Sequence, residues 1–369
     1  MDRSDSRSFD VRRMLTWIHQ IFGAPSDKHH AIGRRALFNL IIHNRDTPYF
    51  LERSIERWYV VDPPRALESY FEVVTKVLNE QPDYPLAFWR ISAALLFTLG
   101  NEKSEIRMKS AKLLRLLEQR QQKNSKIQDF DISISDRTTA VYKLAQFEVS
   151  KRLASQHTEL AFFIFSQFSV HFKAMLPDSQ RNMIAAILPW IQVIELQVEL
   201  NGRPTAQSYM LLANLIEITT TASGALHNEI QALWQALATG PHAGNVQLIL
   251  DFVITLCLDR REQSFVAYAK QIIVYLSTTP AGQKVVEFLL LQITSRNMVQ
   301  KQQEPKVLPP DNLGLPYVAD LSEALPIGSK QVRALILIFL HPLMMIARIF
   351  FGTTLDDFPS GSYGFSNEA

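Results

Sequence analysis

The sequence predicts an all-α chain of stacked helix pairs, and three observations carry that prediction. The first is an apolar pattern between Leu226 and Ile293 that starts again at Leu226, Asn245, Phe265 and Val286. Leu226, Ile230, Leu233, Trp234 and Leu237 follow the spacing i, i+4, i+7, i+8, i+11, as do Phe265, Ala269, Ile272, Ile273 and Leu276. That spacing is one stripe of an α-helix. Ile249, Phe252, Val253 and Leu256 keep the register, and Val286, Leu289, Leu290 and Ile293 form a looser copy. Two steps span about forty residues, near the helix-pair period of HEAT and armadillo solenoids. The second observation is that only 13 glycines occur in 369 residues. The shortage fits helix, because glycine costs ~1 kcal/mol inside one. The third is that no segment sustains the two-residue alternation of a strand. The fold class is therefore all-α, a HEAT/armadillo-like helical-repeat solenoid.

Taken in order, the helices are expected over 10–22, 29–44, 48–59, 63–79, 85–99, 102–123, 136–155, 158–175, 178–198, 205–221, 225–238, 243–258, 263–277 and 280–296. Thr47-Pro48, Asp62-Pro63 and Thr279-Pro280 mark three of the starts. The first residue of each pair can accept orphan amide protons, and proline has none to offer. Helix 158–175 carries Phe162, Phe163, Phe165, Phe168 and Phe172. Aromatics at helical spacing fill a core between stacked helices rather than a ligand box.

Residues 1–298 read as one helical-repeat segment. Residues 299–329 differ, with Pro305, Pro309, Pro310, Pro316 and Pro326 among Gln, Lys and Asp, which reads as a Pro-rich linker. Residues 330–369 read as an apolar helix and a disordered tail. The run 334–351 is long enough to span a bilayer but contains His341, Pro342 and Arg348. A peripheral or membrane-anchored helical protein using 334–351 is the alternative reading.

Composition excludes several classes. Hydrophobic residues at 47% and charged residues at 20% are ordinary for a globular protein. A net charge of +2 gives no electrostatic case for nucleic acid. The single cysteine, Cys257, permits no internal disulfide and no cysteine metal cluster, which suits a reducing cytosol. Residues 1–10 are polar and lack the apolar core of a signal peptide.

The search for chemistry finds no phosphate loop, GxGxxG, HExxH or GxSxG. No catalytic, cofactor or metal residue is assigned, and the chain is read as a non-enzyme. His29-His30 reads as a solvated helix start, since adjacent residues face different sides of a helix. The run from Asp129 to Asp136 resembles the opening of a calcium loop, but Ile134 stands where the turn needs glycine and Ala140 where the loop needs glutamate. It reads as a polar connection, with Ser135 or Asp136 capping the next helix.

Segment 102–126 carries Lys103, Arg107, Lys109, Lys112, Arg115, Arg120, Lys123 and Lys126 against Glu102, Glu105 and Glu118. Ile106, Leu113, Leu114 and Leu117 give it a buried side, and Glu105 can pair with Lys109 at i, i+4. The basic side is first a solvated face. It is also the candidate surface for an acidic protein, a phosphorylated partner or a lipid surface.

Longer words in the sequence add to this. KIQDFDISISDRTTAVYKLAQFEVSKRLASQHTELAFFIFSQF (126–168), LPWIQVIELQ (188–197), NGRPTAQSYMLLANLIEIT (201–219), the stretch 226–294 and GLPYVADLSEALPIG (314–328) resemble the central region of the Furry-like cell-morphogenesis proteins in their fungal form. The resemblance implies a non-catalytic helical-repeat scaffold. It implies partnership with NDR-type kinases and their Mob co-activators, and a cytoplasmic place at the cell cortex and sites of polarised growth. It also implies influence on actin organisation and cell shape, with no nucleic acid and only indirect membrane contact. Trp190 and Trp234 look like core anchors, and Pro204 and Pro241 like changes of chain direction.

Members of that family are far longer, so the chain resembles an internal piece. The resemblance ends near Gln331. Gln331-Val332-Arg333 can be encoded as CAG followed by GTACGT, an exon end and a splice donor. Residues 332–369 are therefore read as translated intron, a gene-model artefact. Transcript sequencing checks this: a spliced message joining Gln331 to family-like sequence is expected, and a dominant unspliced message contradicts it.

Overall fold

Every regular element of the described residues is helical in the computed structural model, which describes residues 11–46, 48–60, 64–200, 202–260 and 263–293. The elements are α1 Val11–Gly23, α2 Asp27–His43, α3 Tyr49–Glu56, α4 Pro64–Glu80, α5 Phe88–Thr98, α6 Ser104–Arg120, α7 Asp131–Ser135, α8 Thr139–Gln156, α9 Ala161–Phe172, α10 Pro177–Gln192, α11 Ala206–Ala222, α12 His227–Thr239, α13 Asn245–Arg260, α14 Gln263–Ser277 and α15 Gly282–Ile293. The predicted linker 299–329 and the run 330–369, including 334–351, lie outside the described residues. So do Thr47 and the Asp62-Pro63 start. No helix among the described residues is long and apolar enough to cross a membrane.

The described residues fall into two compact units, divided between Ala236 and Leu237. In the first unit α2 packs on α4, α8 and α9 pack on α10, and α5 and α11 pack on α9. In the second unit α13, α14 and α15 pack on one another.

The recurring apolar stripe is the core side of these helices. Leu226, Ile230, Leu233, Trp234, Phe265, Ala269, Ile272, Ile273 and Leu276 are all buried. The fourth copy is corrected by one position. Val285 and Leu289 are buried, Val286 is half-buried, and Leu290 is 54% exposed. The helix starts at Gly282 rather than at Pro280, and the side it buries runs through Val285 and Leu289. Thr279 still serves this start, its Oγ1 accepting the Ala281 amide proton at 3.2 Å. Pro48 likewise stands just before α3 instead of inside it, and its carbonyl accepts the Glu52 N–H at 2.9 Å. In α9, Phe165, Phe168 and Phe172 are buried. Phe163 is 44% exposed and stacks on Trp89 with centroids 5.6 Å apart.

Two departures from the predicted elements have local causes. The stretch 127–135 is not a polar connection. Ile127–Phe130 forms a 3-10 turn that runs into α7, because Ile127 and Ile134 are both buried and pull the segment onto the core. Asp136 accepts the Thr138 N–H at 2.6 Å, while Thr138 holds the N-cap position of α8. The predicted helix 178–198 stops at Gln192. Beyond it Val198 and Pro204 form an isolated antiparallel bridge around a turn whose Gly202 has φ 78°, a conformation that favours glycine. The chain reverses at the turn around Gly202, and Pro204, expected as the change of direction, pairs with Val198 just beyond it.

Buried polar pins fix neighbouring helices against each other. Trp190 on α10 donates its indole N–H to Ser150 Oγ on α8 at 2.9 Å, and Ser150 donates to the Ala186 carbonyl. Pro189 lies inside α10 at this place, where its missing N–H leaves the local ladder short of a donor. Trp234 on α12 repeats the device, donating to Thr219 Oγ1 on α11 at 2.9 Å, with Thr219 donating to the Leu215 carbonyl at 2.7 Å. Asn245 donates to the Leu237 carbonyl at 3.0 Å across the turn that carries Pro241. The C-terminal end of α5 is read by Gln146 at the Leu96 carbonyl (2.8 Å) and Asn182 at the Phe97 carbonyl (2.9 Å). A Cβ at Gly100 would stand 1.9 Å from Asn182 Oδ1 and 2.5 Å from Gln146 Oε1, so a side chain there would displace the two carboxamides that read this helix end.

Ser150→Ala leaves the Trp190 indole N–H buried without a partner. We expect a loss of about 1–3 kcal/mol in denaturant unfolding with helicity retained. A change under about 0.5 kcal/mol would mean that the pin contributes no more than an ordinary surface position.

Candidate functional site

Helix α6 carries most of the basic segment, and its fold sorts the eight cations by environment. The buried side of α6 includes Ile106, Leu113, Leu114 and Leu117, as the apolar pattern predicts, together with Ser110 and Ala111. It also includes Arg107 and Glu118.

Arg107 is 1% exposed, so the structure removes it from the candidate surface. Its Nε donates to the Ile134 carbonyl at 2.7 Å. Its Nη1 donates to the Asn101 and Glu102 carbonyls at 2.7 and 2.8 Å, and its Nη2 to the Asp136 carbonyl. The guanidinium lies 4.0 Å over the Tyr142 ring. Burial pulls its pKa down from the ordinary arginine value, and Tyr142 and Asp136 act the other way. Its position is a physical consequence of helix phase. Arg107, Ser110, Ala111, Leu114 and Glu118 share the i, i+3, i+4, i+7, i+11 stripe, so the arginine cannot reach the outer face.

The other cations lie at the surface or its edge. Lys103 pairs with Glu68 of α4, and Lys109 lies 3.8 Å from Glu72 of α4 in place of the expected partner Glu105. Arg115 holds Asp131 at 2.8 Å, and Arg120 donates to the Leu78 carbonyl at 2.8 Å. Lys123 donates to the Gln156 carbonyl and lies 3.3 Å from Glu159. Lys126 is exposed, with φ 51°, and its carbonyl accepts from Arg152 at 3.1 Å. Lys112 is exposed and has no ion pair among the described residues.

Two hollows flank α6, and they differ in charge. One, of about 320 Å³, has Glu68, Glu72 and Glu105 against Lys103 and Lys109, so carboxylates outnumber ammoniums there. The other, of about 440 Å³, has Lys112, Arg115 and Lys123 against Glu118 alone. Asn79, Gln119, Asn124 and Gln128 also line this second groove. Glu118 forms its floor and is 2% exposed. It accepts the Ser125 amide proton at 3.2 Å and the Ser125 hydroxyl, and the buried His157 Nε2 lies 3.5 Å away.

The turn after α6 sets Lys123 in place. Gln122 takes φ 56°, its N–H bonds the Gln119 carbonyl at 3.0 Å, and the Lys123 N–H bonds the Glu118 carbonyl at 3.1 Å. This pair of bonds is a Schellman stop, built here on glutamine where glycine is usual. The carboxamides of the groove were invisible to spacing because they come from α4, α6, the turn after it and the 3-10 turn Ile127–Phe130. The left-handed turn at Gln122 carried no glycine signal.

Two other sequence candidates resolve as structural. Asp129 pairs with Arg152 at 2.7 Å and Asp131 with Arg115, so the acidic run that resembles a calcium loop is matched by arginines. His30 is buried, not solvated. A carbonyl can only accept, so Nε2 donates to Ala24 O at 2.8 Å, and in the neutral ring Nδ1 accepts from Ser69 Oγ at 2.8 Å. His29 is the exposed member. Cys257 is buried, and burial pushes its thiol up to about 12.

Comparison with known proteins places this geometry in a sequence context. Residues 26–314 match the family described as cell morphogenesis central region. The chain is similar to the cell polarity protein mor2 of Schizosaccharomyces pombe, 27% identical over 327 residues, which are 88% of this chain and 15% of that protein. It is also similar to the cell morphogenesis protein PAG1 of Saccharomyces cerevisiae, 25% identical over 329 residues, 88% of this chain and 14% of that protein. The chain thus spans about one seventh of the length of these relatives. No solved structure matches it.

Proposed function

The chain belongs to the cell morphogenesis central region family, and from that premise we propose that it is a non-catalytic scaffold segment acting in cell morphogenesis and polarised growth. In this reading its helices stack as a HEAT/armadillo-like solenoid and present surfaces to protein partners. The partners are an NDR-type kinase and its Mob co-activator, and the place of action is the cytoplasmic side of the cell cortex, where actin organisation is set.

The observation that carries the reading is the family match over 26–314 on a chain whose described elements are all helical. Stacked helices offer long surfaces whose residues come from many turns, which is how repeat proteins hold partners. The basic side of α6 is the docking face in this reading, through Lys103, Lys109, Lys112, Arg115, Arg120, Lys123 and Lys126. Arg107 is excluded by its burial.

The test is binding of the purified chain to an NDR-type kinase with its Mob subunit at low and moderate salt. We expect binding that weakens as salt rises, because the contact is made by exposed charges. A folded, helical chain that binds the kinase complex at neither salt concentration overturns the kinase assignment.

A further inference from the structure

We propose that the groove beside α6 binds an extended acidic segment of a protein partner carrying a phosphorylated serine or threonine. The proposal rests on the reading of this chain as a partner-binding scaffold and adds the chemistry of the ligand.

Charge selects the groove. Of the two hollows along α6, only this one has cations in excess, since Lys112, Arg115 and Lys123 face a single carboxylate. That carboxylate, Glu118, is buried and held by Ser125, so it does not compete for the rim. Lys112 is exposed and has no ion pair among the described residues.

The existing ion pairs favour phosphate over carboxylate. Arg115 and Lys123 already face the singly charged Asp131 and Glu159. A second carboxylate gains little by replacing the first. A phosphate carries nearly two charges and three acceptor oxygens, so it can draw Lys123 from the exposed Glu159, accept from the N–H groups that Arg115 does not use on Asp131, and meet Lys112 as well. The Lys123–Glu159 pair is exposed and such pairs are worth little, so exchanging it is inexpensive, while the part-buried Arg115–Asp131 pair stays in place.

The remaining lining favours a peptide chain. Asn79, Gln119 and Gln128 present carboxamides, each both donor and acceptor, the complement of a peptide main chain. A lipid surface would favour a convex set of free lysines, and this site is a hollow of about 440 Å³ with one such lysine. RNA would favour exposed aromatic rings, and none lines the groove.

The test uses the full chain and a fluorescein-labelled library of acidic peptides with one fixed phosphoserine, measured by anisotropy. A library identical except for serine at that position is the control. We expect the phosphorylated library to bind at least about tenfold more tightly. Lys112→Glu should abolish the difference and Lys112→Arg should preserve it. Unchanged circular dichroism and melting show that the variants are folded, as the exposed position predicts. Equal binding of both libraries, no binding of either, or an unaffected Lys112→Glu variant overturns the proposal. Binding only to vesicles containing phosphatidylinositol bisphosphate overturns it in favour of a lipid surface. The kinase–Mob complex is measured on the same preparations. Peptide binding without kinase binding keeps the groove and removes the kinase assignment. Kinase binding without peptide binding does the reverse.

Discussion

A buried cation without a carboxylate partner is the constraint around which the α5–α8 region is arranged. Arg107 sits in the core and spends its donors on the carbonyls of Asn101, Glu102, Ile134 and Asp136. Removing a guanidinium from water costs several kcal/mol, and only well-placed acceptors offset it. Those acceptors come from the loop before α6, from the C-terminal end of α7 and from the residue that follows it. The arginine therefore determines where the 127–138 segment lies. That segment supplies Asp131 to Arg115 and Gln128 to the groove. The outer basic side of α6 is shaped by a cation that never reaches it.

The same logic recurs at smaller scale along the chain. Apolar helix stripes bury area but tolerate sliding, because leucine, isoleucine and valine contacts are not directional. The pins are directional. Trp190 with Ser150, Trp234 with Thr219, and His30 with Ser69 each join two helices through a buried hydrogen bond. Breaking one strands a polar atom in the core, so each pin penalises the wrong register more than it rewards the right one. The exposed ion pairs Lys173–Glu217 and Arg181–Glu229 also cross between helices, yet solvent screens them and they add little.

Helix content and most of the core were legible because they follow from periodicity, a property each segment carries alone. Trp190 and Trp234 stood out as large anchors and are buried as such. What was not legible depends on tertiary partners. Arg107 lies in phase with Ser110, Ala111 and Leu114, a signal present in the sequence, but charge outweighed phase in a reading by composition. The 127–135 turn has only two buried isoleucines, too few for a periodic pattern. The groove draws on residues from Asn79 to Gln128, and no local spacing announces a site assembled across that distance. The stop at Gln122 uses a left-handed glutamine, which turn rules built on glycine and asparagine pass over.

The measurement that bears most directly on this account is amide hydrogen exchange on the full chain, comparing the natural sequence with Arg107→Met. Methionine keeps much of the volume and removes every donor. The account predicts faster exchange concentrated in α7 and the first turns of α8, with α13, α14 and α15 protected as before. Unaltered protection across 127–142, or an equal loss in α13–α15, would contradict the claim that Arg107 holds this region in place.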